Sequence, residues 1–562
     1  MSQVVKETRK NIKDIIENAA KKAMAAGELP EGELGAFNIE VPADRTHGDF
    51  AVNAAMTWAR AFKSNPRKIA EAIVNNCDFD GSYIEKAEIA GPGFINLFLA
   101  PSYYAAIVSD VLIKGDDYGR SDIGKGKKVM VEFVSANPTG PMHIGNARGG
   151  ALGDCLAAVL EKAGYEVTRE FYVNDAGNQI AKFGGSLSAR YLQMYKPETE
   201  FPEDGYHGAD IIARAEEFSR IHGDKFVNVG EEERAAALVE YALPLNVDGL
   251  RQDLETYRIN YDVWFKESEL YKSGAIKNIV DILAAKGATY EKDGAVWYKA
   301  TDFGGEKDEV LIRANGNPTY FAGDIAYHHN KFAVRGYDKV INIWGADHHG
   351  HVARLKGAMD AIGLNGDQLD VVLMQLVRLV QNGEVVRVSK RTGKSITLKT
   401  LLEEVPLDAA RFIFNSKEPN THLEFDLDLA VEQSSQNPVY YVQYAHARIC
   451  SIIRNLKADG VEIKTADTSQ LKLLCDPAEQ ELIRHISELT GEIESAAKSY
   501  DSARITHYVL ELATLFHKFY NACRVRTDDV DLSAARISLC VATATVIKNV
   551  LAMLKISAPE SM

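Results

Sequence analysis

Asn137-Pro138-Thr139-Gly140-Pro141-Met142-His143-Ile144-Gly145-Asn146 is the stretch on which the reading of this chain turns. It follows an apolar run, Val129-Met130-Val131-Glu132-Phe133-Val134, and opens a helix-like run over 147–163. Strand, small-residue turn and helix N-terminus in that order make an anion site. Glycine lets the backbone approach closely, and the first helical N–H groups point at the ligand. A histidine in that turn can donate to the same oxygens. A histidine that merely caps a helix accounts for the same residues, so the pattern needs support from elsewhere in the chain.

Working outward, a strand-helix-strand unit covers 128–174, with its second strand over 166–173. Alternating strand and helix patterns predict the first half of a doubly wound parallel sheet. From about 181 the pattern changes to charged helical segments, which continue to about 267. A further helix and short strands reach 298, and the whole reads as an insertion. Sheet signals return over 310–313, 340–344 and 371–376. Beyond about 401 the chain reads as almost wholly helical. On the N-terminal side, helical periodicity covers 4–25 and 51–76. Strands follow over 84–89 and 94–99, joined by a turn at Gly91-Pro92-Gly93, and 115–128 reads as a linker. The fold class expected is multidomain α/β. An N-terminal α+β domain spans 1–120, a doubly wound (Rossmann-type) core spans 121–182 and 299–400, an inserted domain spans 183–298, and an all-α helical bundle spans 401–562.

The chain has 562 residues, 46% hydrophobic and 25% charged, the mix of a globular protein of several domains. No uninterrupted apolar run approaches the roughly 18 residues of a membrane span, and the charged N-terminus lacks the apolar core of a secretory signal. The six cysteines are widely spaced with no Cys-x-x-Cys, which argues against a zinc ribbon or a disulfide framework and fits a reducing cytoplasm. A formal net charge of -15 disfavours indiscriminate nucleic-acid binding. Local basic clusters remain at Arg60, Lys63, Arg67 and Lys68, and again at Arg448, Arg454, Lys457, Lys518, Arg524 and Arg526. Each also reads as a solvated helix face.

Two further constellations carry chemistry. Val388-Ser389-Lys390-Arg391-Thr392-Gly393-Lys394-Ser395 follows a strand-like 384–387. A Lys/Ser/Gly loop beyond a sheet suits a polyphosphate that gains charge as it leaves, with ammonium groups stabilising the transition state most. Gly345-Ala346-Asp347-His348 ends the strand over 340–344, where a carboxylate can accept from ribose hydroxyls. The rival reading there is a metal site of His348, His349 and His351, for which no further ligand cluster lies nearby.

In this order the three motifs resemble the signature of class I aminoacyl-tRNA synthetases. His143-Ile144-Gly145-Asn146 stands for that family's HIGH motif, with Asn146 in place of the second histidine. Ser389-Lys390-Arg391 stands within its KMSKS loop, with Lys390 retained, Arg391 in place of the last serine and Arg387 in place of the first lysine. The wider context is similar to arginyl-tRNA synthetases. Glu132-Phe133-Val134-Ser135-Ala136-Asn137-Pro138-Thr139-Gly140-Pro141 and Thr319-Tyr320-Phe321-Ala322-Gly323-Asp324-Ile325-Ala326-Tyr327 carry that likeness. The N-terminal Thr46-His47-Gly48-Asp49-Phe50 and Ala90-Gly91-Pro92-Gly93-Phe94-Ile95-Asn96 extend it to the family's additional domain, which contacts the tRNA elbow. Asn437-Pro438-Val439-Tyr440-Tyr441-Val442-Gln443-Tyr444-Ala445-His446-Ala447-Arg448 extends it to the helical anticodon-binding domain.

The resemblance implies an arginine–tRNA ligase using ATP, with Mg2+ on the ATP phosphates. Its partners would be L-arginine and tRNA(Arg), with no membrane, a monomeric state and a cytoplasmic location. His143, Asn146 and Lys390 would be catalytic. Pro138, Gly140, His143, Gly145, Asn146, Gly345, Asp347, His348, Ser389 and Lys390 would bind ATP. Glu132, Ser135, Asn137, Tyr320 and Asp324 would bind arginine, with no resident metal. The physics is consistent with this. A guanidinium is planar and always charged, so its selection needs an in-plane carboxylate with neutral acceptors around it. A spacing of four puts Tyr320 and Asp324 on one helix face. For tRNA, Tyr440, Tyr444 and Tyr520 with Arg448 and Arg524 offer rings and cations, although tyrosines at this spacing also build helix cores. The competing readings are a class I synthetase for another amino acid, such as glutamine or cysteine, and a non-catalytic RNA-binding paralogue. The cysteine enzyme's zinc cluster has no counterpart here, Asp324 has the wrong charge for acidic substrates, and a paralogue would be expected to lose His143, Lys390 or Asp347.

Overall fold

The computed structural model describes residues 3–386 and 396–562. Ser389, Lys390 and the rest of the second basic motif therefore lie outside the described residues.

The centre is a five-stranded parallel sheet. Its strands in chain order are β1 (Lys128–Glu132), β2 (Glu166–Val173), β3 (Val263–Lys266), β4 (Lys339–Gly345) and β5 (Leu369–Met374), and their spatial order is β5-β4-β1-β2-β3. The chain passes from β1 outward to β2 on one side and later to β4 on the other. β1 and β4, paired in parallel from Lys339↔Val129 to Asn342↔Glu132, therefore frame a topological switch point. Ligands of such sheets bind outside the carboxyl ends of these strands.

Helix α1 (Ile144–Lys162) follows β1 and is buried on nearly every side, as a helix inside a large core should be. A Cβ at Gly153 would lie 2.2 Å from the Phe133 ring, so only glycine lets α1 sit this close to the end of β1. Two more helices border the switch point, α2 (Tyr320–His329) and α3 (His349–Ile362).

The segment 183–298 was expected as one insertion, and its parts go separate ways. Helices Ala209–His222 and Glu231–Thr256 pack with Gly177–Gln193 around Phe183, Leu187, Tyr191, Phe218 and Leu238, a small separate core. β3, inside the same segment, is instead an edge strand of the central sheet. Thr289–Lys292, Ala295–Tyr298 and Glu309–Ile312 form their own antiparallel sheet, so the strand signal over 310–313 does not belong to the central one. Periodicity reports which residues are apolar, and does not report which sheet buries them.

The expected helix over 51–76 is a strand, Phe50–Val52, and two helices, Ala54–Phe62 and Pro66–Asn75. Lys63 takes φ 48° and ends the first, and Asn65 caps the second with Pro66 in its opening turn. The region after 401 also holds a strand, Leu423–Asp426, which pairs in parallel with Val377–Gln381. Helix Val530–Met553 has a mean hydropathy of 1.5, enough by length and composition to cross a membrane. Arg536, Lys548 and scattered Ser and Thr hide it from a search for an unbroken apolar run. Here it packs against Pro438–Ala458 and Ala503–Ala522.

Buried polar contacts lock the units together. Arg411, fully buried, donates to the Leu554 carbonyl (2.7 Å), the Tyr257 carbonyl (2.9 Å) and the Asp154 carboxylate on α1 (2.5 Å). Between the N-terminal domain and helix Pro477–Ser499, Arg484 donates to Asp49 (2.7 Å) and to the Tyr104 hydroxyl (2.9 Å).

Candidate active site

The phosphate turn is built first by its own backbone. His143 is the N-cap of α1, with extended backbone at φ −90° and ψ 173°. Its Nδ1 accepts the Gly145 N–H (3.1 Å), and the His143 N–H donates to Asn146 Oδ1 (3.0 Å). This is a capping box written with His and Asn. It has a chemical consequence. Because Nδ1 accepts, the ring hydrogen sits on Nε2, which leaves Nε2–H as a donor for a ligand. Partial desolvation lowers the His143 pKa and favours this neutral form. Asn146 likewise spends its oxygen on the cap and keeps its amide N–H groups. The sequence offered a capping histidine and a ligand-binding histidine as alternatives, and the same imidazole can serve both purposes.

The turn is held from two sides. The Leu398 N–H donates to the Met142 carbonyl (2.9 Å), and His143 pairs with Thr397. The chain therefore returns to the turn directly after the residues outside the described set. From the helical insertion, Asn246 Nδ2 donates to the Pro138 carbonyl (2.9 Å), while its Oδ1 accepts from Arg214 Nε (3.1 Å).

Beyond β4, Gly345, Asp347 and His348 occupy the other lip of the switch point. The Asp347 carboxylate folds back over Gly345, where a Cβ would lie 2.4 Å from its Oδ1. Asp347 and His348 are both exposed, with 3.7 Å between His348 Nε2 and Asp347 Oδ2.

The pocket expected for arginine gathers at the same sheet edge. Val134 and Ser135 take φ values of 68° and 40°, rare for such side chains and worth about 1–3 kcal/mol of strain each. In this conformation the Ser135 hydroxyl donates to Glu132 Oε1 (3.0 Å) and accepts the Tyr172 N–H (3.1 Å). Glu132 is buried, and its other oxygen takes buried Lys331 (2.5 Å). Its charge is thus matched internally, and its part in any pocket is to hold the strand end. Asn137 lies exposed at the start of the phosphate turn. Tyr320 and Asp324 share a face of α2, whose N-cap is Thr319. Tyr320 is 48% exposed, and Asp324 Oδ2 meets His351 Nε2 at 2.9 Å. That contact takes His351 away from the metal reading.

The sequence reading missed Glu267. It stands one residue beyond β3, is 3% exposed, and its Oε2 has no hydrogen-bond partner. Burial, then the neighbouring charges of Asp324 and Asp175, push its pKa up to about 7. Its Oε1 accepts from the Tyr271 hydroxyl (3.5 Å), so one buried carboxylate oxygen beside a second carboxylate is left for a cation. Burial and the carboxylates of Glu267, Asp324 and Glu132 also push the Tyr172 hydroxyl far up. The signal available in the sequence was an acid at the end of a Val-Trp-Phe strand, masked because the segment read as an insertion.

Far from this edge, Arg448 lies over the rings of Tyr444 (5.3 Å) and Tyr520 (4.7 Å). Tyr444 is exposed, Tyr440, Arg448 and Tyr520 are half-buried, and Arg524 is exposed. Tyr444, Arg448 and Tyr520 thus form one surface cluster between helices Pro438–Ala458 and Ala503–Ala522, with the His517 ring stacked on Tyr444.

Comparison with known proteins agrees along the whole length. The arginyl tRNA synthetase N-terminal domain model matches residues 10–99, the class I (R) tRNA synthetase catalytic domain 107–455, and the DALR anticodon-binding domain 442–562. An arginine–tRNA ligase of Caldanaerobacter subterraneus is 55% identical over 562 residues, covering 100% of both chains. One from Ruminiclostridium cellulolyticum is 54% identical over 564 residues, again covering 100% of both. The Thermus thermophilus arginyl-tRNA synthetase structure, 22% identical, superposes with a TM-score of 0.72 over 97% of this chain and 99% of that one, a likeness of fold.

Proposed function

The chain belongs to the arginyl-tRNA synthetase family, and from that premise we propose how its residues divide the work of an arginine–tRNA ligase. The enzyme activates L-arginine with ATP and transfers it to the 3′ end of tRNA(Arg), releasing AMP and diphosphate. In the first step the arginine carboxylate attacks the α-phosphorus and the bond to diphosphate breaks. In the second, a terminal ribose hydroxyl attacks the adenylate carbonyl and AMP leaves. Neither step needs a covalent enzyme intermediate, so catalysis is positioning plus charge stabilisation.

In our reading His143 Nε2–H, the Asn146 amide and the first N–H groups of α1 hold ATP phosphate oxygens. Pro138, Gly140 and Gly145 let the nucleotide approach the backbone. Gly345, Asp347 and His348 hold the adenosine, and Ser389 and Lys390 meet the departing diphosphate. Mg2+ enters with ATP, bound largely by phosphate and water. The arginine guanidinium lies between Asp324 and Glu267 with Tyr320 over it, while Glu132, Ser135 and Asn137 shape the end near the α-phosphate. The observation that carries this reading is the unpartnered Oε2 of buried Glu267, near Asp324 and at the same sheet edge as the capped turn.

Residues 1–120 would contact the tRNA elbow and 401–562 the anticodon, with Tyr440, Tyr444, Arg448, Tyr520 and Arg524 at the single-stranded loop. The core spans 121–182 and 299–400 with β3 from within 183–298 at its edge, and helix Glu231–Thr256 of that segment flanks the phosphate turn. A cytoplasmic monomer is proposed, consistent with six free cysteines. The decisive experiment is exchange of labelled diphosphate into ATP, with and without tRNA(Arg). Exchange that needs arginine and tRNA together supports this reading, including activation that awaits tRNA. Exchange with arginine alone removes that last element. No exchange from folded protein overturns the reading.

A further inference from the structure

We infer that Arg354 and His351, anchored by Glu309, are positioning residues that aim the Asp324 carboxylate at the substrate guanidinium. The inference rests on the assignment of Asp324 to the arginine pocket.

The atoms run in one direction. Arg354 Nη1 donates to Glu309 Oε1 (2.7 Å), and its Nε donates to His351 Nδ1 (2.9 Å). A guanidinium only donates, so Nδ1 must accept and the ring hydrogen must sit on Nε2. That nitrogen lies 2.9 Å from Asp324 Oδ2. The chain of contacts therefore leaves Asp324 facing a neutral N–H. A neutral donor orients a carboxylate without cancelling its charge, which a cationic one would do.

The geometry is braced as well as bonded. The Phe321 ring stands edge-on to the His351 ring at 5.8 Å, and Trp344 packs on it at 5.5 Å. The Arg354 guanidinium also lies over Phe321 at 5.6 Å. Three separate elements contribute: α2 carries Asp324, α3 carries His351 and Arg354, and the strand Glu309–Ile312 carries Glu309. One oxygen of Asp324 is thus committed to His351, and the other is left for the ligand. With Glu267 Oε2 also unpartnered, a guanidinium would bridge two carboxylates, one oxygen from each. That arrangement needs Asp324 held at a fixed angle, because a freely rotating carboxylate would take either end-on or bidentate geometry.

The test compares arginine KM, ATP KM and the arginine-to-citrulline preference in diphosphate exchange with tRNA present. His351→Leu and Arg354→Met are expected to raise arginine KM roughly 10- to 100-fold, the worth of one hydrogen bond to a charged group. ATP KM should stay within about twofold, and the preference over citrulline should shrink. His351→Gln, whose amide can donate from nearly the same place, should recover most of the loss. Arginine and ATP KM rising together would mean a merely structural role and overturn the proposal, as would an unchanged arginine KM in both variants. Where a truncated side chain prevents folding, His351→Gln and Arg354→Lys are compared with each other. A relay predicts a smaller arginine KM for His351→Gln, and equal values overturn it. Asp324→Asn in the same assay separates the two levels. If it destroys arginine use while the relay variants leave arginine KM unchanged, the relay alone fails. If it leaves arginine use intact, the pocket assignment fails first.

Discussion

The turn proposed for phosphate and the pocket proposed for arginine share one edge of one sheet and are assembled by opposite means. The turn is made of consecutive residues, and its cap is closed by hydrogen bonds between neighbours, Gly145 to His143 and His143 to Asn146. The pocket draws Glu132 and Ser135 from the end of β1, Glu267 from beyond β3, Tyr320 and Asp324 from α2, and His351 from α3. On the proposed roles, backbone would supply much of the first site's chemistry, and ionisable side chains the second's. The turn can therefore absorb a change such as Asn146, which caps the helix through its oxygen and leaves its amide N–H groups to donate. The pocket should tolerate no change of charge.

The sharpest way to break this contrast is Asp324→Asn. It leaves a buried partner charge unmatched, and kcat/KM for arginine should fall roughly 10²- to 10⁴-fold, equivalent to about 3–5 kcal/mol. A variant that still turns over arginine normally would remove the charge argument. His143→Ala comes next. It deletes one donor to the phosphates while α1 keeps its N–H groups, so kcat in diphosphate exchange should fall about 10²- to 10³-fold with a smaller effect on arginine KM.

Glu267 separates the two sites by pH. Its folded pKa is raised from the ordinary 4.5 to about 7 by burial and by Asp324 and Asp175, with the Tyr271 hydroxyl also facing it. Ionising it therefore destabilises the empty protein, and this group's contribution to stability improves as pH falls from about 7 toward 4.5. A guanidinium needs the ionised form, so arginine KM should rise about tenfold per pH unit below 7 while ATP KM does not follow. Glu267→Gln should bind arginine more weakly at neutral pH and lose that slope. Kinetics between about pH 6 and 8 would decide it.

The smallest expected effect tests the outside support of the turn. Asn246→Ala removes one neutral hydrogen bond to Pro138, about 0.5–1.5 kcal/mol, and should raise ATP KM roughly 2- to 10-fold. Asn246→Asp keeps an acceptor for Arg214 and sets a carboxylate against the Pro138 carbonyl, so it should do at least as much harm. Steady-state ATP titrations of both would show whether the insertion steadies the turn.

The order of strands and helices around 128–174, the N-cap at His143 and the shared face of Tyr320 and Asp324 were all legible in the sequence. Each depends on residues within one or two helical turns of each other, where periodicity and capping rules act. Glu267 was not legible, because its meaning comes from β3 joining the sheet beside β2, almost a hundred residues after β2 in the chain. Nor was the division of labour at Glu132, whose charge is matched by Lys331 in the turn that directly follows α2.

The sequence by itself determined the capped turn at His143, the alternation that makes a doubly wound sheet, and the family that these motifs resemble. Local hydrogen bonding and hydrophobic period are written directly in adjacent residues. Only the tertiary structure decided which carboxylates are matched and which stand unpartnered. A side chain's charge state and its freedom to bind depend on burial and on neighbours brought from distant segments. Those neighbours turn Glu132 into a brace, leave Glu267 Oε2 without a partner, and set His351 against Asp324.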